Sequence, residues 1–135
     1  MIYKLDEKIN HPTYLFHGTN MLGQILKSNT LKLGNNYGDG RAVCMTRDFN
    51  FAKKFKFIIV LNRDKLKQHY KIELKSDAKN MHNKYARNLK TQSKAEEVVK
   101  KDITNLLRYV EYIVTDIPVD NELFVTKKYF IENIL

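Results

Sequence analysis

Three short stretches carry the side chains that could do chemistry. The first is TYLFHGTN, residues 13–20, in which strand-forming residues run into His17, Gly18 and Thr19. An imidazole there can donate to a ribose hydroxyl or a phosphate. A glycine lets a flat ring or a pyrophosphate come close to backbone, and Thr19 adds a hydroxyl and a main-chain N–H. The second stretch is MTRD, residues 45–48, where Thr46 can line a pocket wall and Arg47 can neutralise a phosphate with its planar fork. The third is AEEVV, residues 95–99. Glu96 or Glu97 can accept from a ribose 2′-hydroxyl or stabilise a sugar oxocarbenium ion, the electrostatic logic of glycosidases. Successive strand residues point to opposite faces, so only one of the two glutamates can enter a site. Each motif also has a plainer reading: a structural histidine, a strand end with a helix cap, a solvated strand start. Their order along the chain carries more than any one of them.

The elements that must position these groups are short. TYLFHG (13–18) reads as a strand, and NMLGQILKS (20–28) as a helix with Met21, Leu22, Ile25 and Leu26 on one face and Asn20 as its cap. TLKLG (30–34) and AVCMTR (42–47) are strand-like, with a two-glycine loop between them. DFNFAKKF (48–55) is a short helix capped by Asp48 or Asn50, KFIIVL (56–61) a buried strand, NRDKL (62–66) a turn, and HYKIEL (69–74) a one-sided strand. After residues 95–103, which hold the next strand, TNLLRY (104–109) is a helical turn and VEYIVTD (110–116) a strand apolar on both faces, hence central. LFVTKK (123–128) suggests one more strand, and YFIENIL (129–135) a closing strand or helix. The helices concentrate in the first half. This plan is α+β: two packed, mostly antiparallel sheets with a few short helices, without the regular alternation of a doubly wound fold.

The 135 residues fit a single domain, 1–135, and 43% apolar residues suffice for one core. Lys and Arg number 24 against 15 acids, a formal charge of +9 that favours nucleic acid or phosphate-bearing partners. A lysine-rich solvated surface would give the same balance. The lone Cys44 excludes an internal disulfide and a cysteine metal cluster, and its apolar surroundings read as a buried small hydrophobe. Neither a signal peptide nor a membrane span is evident, which places the expected site of action in the cytoplasm.

Taken in order, these stretches resemble a known family. LFHGT, then the helix MLGQIL, then LKLG, is similar to the first motif of ADP-ribosyltransferase domains, CMTRD to the second and KTQSKAEEVV to the third. The AE-plus-apolar pattern is most similar to DarT-like enzymes, which modify DNA bases. The resemblance spans roughly residues 13–115 and implies a small ADP-ribosyltransferase-like fold with NAD as substrate and no metal. It implies that His17 holds the adenosine ribose, that Gly18 and Thr19 lie beside the nicotinamide amide, that Thr46 lines the pocket and that Glu96 is catalytic, with Arg47 as a phosphate or catalytic contact. Glu97 stays in play as the other register of the pair. Lys94 stands where arginine-modifying members carry a second glutamate, which argues against a protein arginine as acceptor.

In that family the segment before the glutamate selects the acceptor. Here it is the basic stretch 75–94, in which Lys84, Tyr85, Arg87 and Lys90 pair cations with a ring, the combination suited to single-stranded DNA or RNA. A solvated lysine loop is the alternative. The expected activity is transfer of ADP-ribose from NAD to a macromolecule, nucleic acid before a host protein, by a monomer. A compact basic chain of this kind would suit a phage or a toxin–antitoxin system. The rivals are a non-enzymatic basic binding module and an enzyme that moves an RNA 2′-phosphate to NAD.

Overall fold

The computed structural model describes residues 13–34, 41–74 and 96–135. The first strand, β1 (Tyr14–Thr19), leads into helix α1 (Leu22–Ser28) and the short strand β2 (Thr30–Leu31). Then come β3 (Val43–Thr46), the one-turn helix α2 (Phe49–Ala52), β4 (Phe57–Asn62), α3 (Arg63–Lys67) and β5 (Glu73–Leu74). The second half holds β6 (Glu96–Val99), β7 (Ile103–Thr104), a 3-10 turn (Leu106–Tyr109), β8 (Val110–Thr115) and β9 (Phe124–Val125). A closing helix, α4 (Lys127–Tyr129), widens into a π-turn at Phe130–Ile134.

Seven strands form one sheet in the order β5-β6-β3-β1-β4-β8-β9, and β2 pairs with β7 in a separate ribbon. All pairings are antiparallel except β8 with β9. The α+β class and the antiparallel bias stand, but the two sheets are very unequal. The second is a two-residue ribbon, whose Leu31 and Ile103 close one end of a core cluster.

Strand alternation divides the core between the faces of the large sheet. Leu15, Met45, Ile59 and Ile113 pack on one face with Leu66 of α3. Phe16, Ile58, Val60 and Val114 pack on the other with Phe49 of α2 and Phe130 of the closing helix. The second cluster is largely aromatic: Phe130 meets Phe49 at 5.3 Å and Phe16 at 6.3 Å between ring centroids. Edge-to-face and tilted rings at such distances add to simple area burial.

Several local expectations change. Asn20 does not cap α1. Met21 holds the cap position without a side-chain bond, and Thr19 Oγ1 takes the Met21 N–H instead. The segment read as a turn, NRDKL, is helix α3, because Asn62 accepts from the Lys65 N–H at its start and Leu66 is fully buried beneath it. HYKIEL forms a strand only at Glu73–Leu74, since the Tyr70 hydroxyl leaves the strand pattern to accept from the Thr104 N–H. Helical turns run through the whole chain rather than its first half, and the last segment resolves as helix. Asp48 does cap α2, accepting from the Asn50 N–H at 3.0 Å.

Candidate functional site

The sheet is split. β1 pairs with β4 along all six of its residues, and β3 pairs with β6 along four, but β1 and β3 share a single register pair, Phe16 with Thr46. Beyond that pair the two strands part. Between them opens a cleft of about 630 Å³, within the ~300–1,000 Å³ usual for small-molecule and cofactor sites.

His17 stands where the strands diverge. Its Nδ1 lies 2.8 Å from the Cys44 carbonyl of β3. A carbonyl only accepts, so Nδ1 carries the proton and donates. Burial pushes the imidazole below its ordinary value, against the opposing pull of that bond. The ring is therefore neutral at pH 7 and Nε2 is an acceptor. His17 is set up to receive a hydrogen bond from a ligand hydroxyl rather than to give one to a phosphate. Cys44 is half-buried and lines the cleft, in place of the buried hydrophobe expected from sequence.

Gly18 serves packing. A Cβ built on it would meet Phe55 Cδ2 at 2.1 Å and Cγ at 2.7 Å. The Phe55 ring occupies the space that the sequence reading reserved for a ligand. The backbone that carries the ring is tied down: Lys127 Nζ donates to the Lys53 and Phe55 carbonyls at 2.9 and 3.2 Å, and the Lys56 N–H donates to Asn20 Oδ1 at 2.9 Å. Thr19 and Thr46 line the cleft with both residues largely buried, and each hydroxyl accepts from the backbone two residues on, Met21 and Asp48. These threonines set the exits of β1 and β3.

The two glutamates separate as strand alternation requires. Glu96 pairs with Thr46 and lines the cleft; Glu97 pairs with Met45 and faces the opposite side. There the Arg63 guanidinium grips Glu97 with two bonds, Nε at 2.9 Å and Nη2 at 2.8 Å. Glu97 is thus a structural ion-pair partner. Arg47 lies one residue past β3 and outside the cleft lining. Lys84, Tyr85, Arg87 and Lys90 lie outside the described residues.

The sequence reading missed Phe51, Lys54 and Phe55, and Lys32 on the other wall. Lys54 Nζ sits 4.4 Å from the Phe51 ring centroid and 5.5 Å from that of Phe55. The spacing in FAKKF was the available signal: residues four apart on a helical segment share a side. Among the described residues no group of three or more His, Cys, Asp or Glu could hold a metal ion. Among them, too, no helix is long and apolar enough to cross a membrane. Compared with known proteins, the chain matches no protein-family model, no curated protein and no solved structure.

Proposed function

We propose that this chain is an ADP-ribosyltransferase-like domain that consumes NAD and passes ADP-ribose to a macromolecular acceptor, nucleic acid before protein. One observation carries the reading: His17, Thr46 and Glu96, distant in sequence, line the same cleft where β1 and β3 part. The lining suits the substrate in kind. Nε2 of a neutral His17 can accept from a ribose hydroxyl, Lys32 and Lys54 bring positive charge for a pyrophosphate, and the Phe51 and Phe55 rings offer apolar surface to a flat heterocycle.

Glu96 has the central role in this proposal. Loss of nicotinamide leaves positive charge on the ribose C1′–O4′ unit, and a carboxylate fixed on a strand stabilises that charge more than it stabilises the neutral sugar. The acceptor then attacks C1′ and gives up its proton. Nucleic acid is favoured by the net charge of +9 and by the lysines at the cleft.

The same lysines also support a second reading, a non-catalytic module that grips an anionic nucleotide. One assay separates the two: nicotinamide release from NAD by the purified protein, alone and with single-stranded DNA, RNA or cell lysate, beside Glu96→Gln. The transferase reading expects release that disappears in Glu96→Gln while NAD binding persists. Equal release by the variant, or NAD binding with no release under any condition, refutes it.

A further inference from the structure

The Arg63–Glu97 pair lies on the sheet face opposite Glu96 and outside the cleft lining, and its two ends belong to different halves of the split. Arg63 is rooted in the β1–β4–β8 half. Its own N–H donates to the Thr13 carbonyl at 2.7 Å, and its neighbour Asn62 pairs with Tyr14 and donates to Glu111 at 2.8 Å. Glu97 belongs to the β3–β6 half. The two halves share one backbone register pair, Phe16 with Thr46, and the His17–Cys44 hydrogen bond, so this side-chain bridge is a further tie between them. Both side chains are largely buried, at 18% and 10% exposure, and the contact is bidentate. A planar fork on a planar carboxylate fixes direction as well as distance. Glu97 is also the residue next to Glu96. Whatever fixes the rotation of β6 about its own axis at Glu97 fixes it at Glu96 too, whose side chain points to the opposite face.

We propose that Arg63 is a positioning residue for Glu96: by clamping Glu97 on the back of the sheet, it turns the neighbouring carboxylate into the cleft and sets how far the split opens. The role of Glu96 in turnover is that of the transferase reading, on which this inference rests. The orientation of β6 can be tested without it.

The experiment compares wild type, Arg63→Lys, Arg63→Met and the double variant Arg63→Met with Glu97→Met. The double variant replaces the ion pair by an apolar pair of similar reach, a change that commonly preserves folding while removing the directed contact. Two quantities are read: the rate at which Glu96 is modified by a water-soluble carbodiimide, assigned by tandem mass spectrometry, and kcat and KM for nicotinamide release. The Glu96 modification rate should shift at least threefold in both Met-containing variants. Since misplacing a reacting group by an ångström can cost about 100-fold, kcat should fall by at least about tenfold with KM for NAD nearly unchanged, and Arg63→Lys should recover part of it. A folded double variant with wild-type Glu96 reactivity and wild-type kcat overturns the proposal and leaves the pair a stability feature. If wild type releases no nicotinamide, the transferase reading fails, and the Glu96 modification rate still decides whether Arg63 orients β6.

Discussion

Gly18→Ala isolates one contact that the structure makes unusually tight. The added Cβ would lie 2.1 Å from Phe55 Cδ2, 2.7 Å from Cγ and 2.9 Å from Cε2, all inside the 3.0 Å that real Cβ atoms keep. Since Cγ is the root of the ring, a rotation of its tip cannot relieve the overlap. The whole side chain, half-buried at the cleft wall, must retreat by about 1 Å. The backbone behind it resists, because Lys127 holds the Phe55 carbonyl and Asn20 holds the next N–H. Overpacking of this kind costs about 1–3 kcal/mol, which for a domain of this size lowers Tm by roughly 4–11 °C. Urea unfolding and thermal melting of Gly18→Ala, Phe55→Ala and the double variant give the answer. Alanine at 55 vacates the space, so the cost of Gly18→Ala should largely vanish in that background, a coupling of about 1–2 kcal/mol. A Gly18→Ala protein within about 0.3 kcal/mol of wild type, or strictly additive changes, refutes the packing role and returns Gly18 to the ligand-approach role read from sequence.

Two other outcomes follow from the same geometry. Because burial holds His17 below its ordinary value, the unfolded chain takes up the proton first as pH falls through about 6.5. The stability tied to a neutral His17 is thus present above that pH and lost progressively below it; urea midpoints at pH 7.5 and 5.5 should differ more in wild type than in His17→Asn, and equal differences would refute the assignment. Phe130 is fully buried among the rings of Tyr14, Phe16, Phe49 and Tyr112, so Phe130→Ala should cost about 3–5 kcal/mol by calorimetry, and a cost below about 1 kcal/mol would mean that the closing helix is not part of the core.

What could be read in advance was what local pattern determines. The runs behind β1, β4 and β8 are apolar on both faces because a core cluster covers each face of the sheet there, and that shows directly in the residues. Asp48 as a cap and Leu106–Tyr109 as a helical turn are likewise local. The failures are non-local. Which glutamate faces the cleft is settled by β6 pairing with β3 and by an arginine 34 residues away. The neighbour of Gly18 is a ring on the turn before β4, and nothing in LFHGT announces it. NRDKL reads as polar punctuation until Leu66 is seen fully buried beneath it.

The dependence of Phe55 on Lys127, and of the aromatic face on Phe130, also orders events during synthesis. A growing chain possesses His17, Thr46 and Glu96 well before the ribosome reaches residues 127–130. Until then the Phe55 turn has no lysine behind it, and the rings of Phe16 and Phe49 lack the partner that covers them. One wall of the cleft is therefore finished last. A nascent chain tethered at its growing end holds the site residues without the finished wall until residues 127–130 have been made and have left the ribosome.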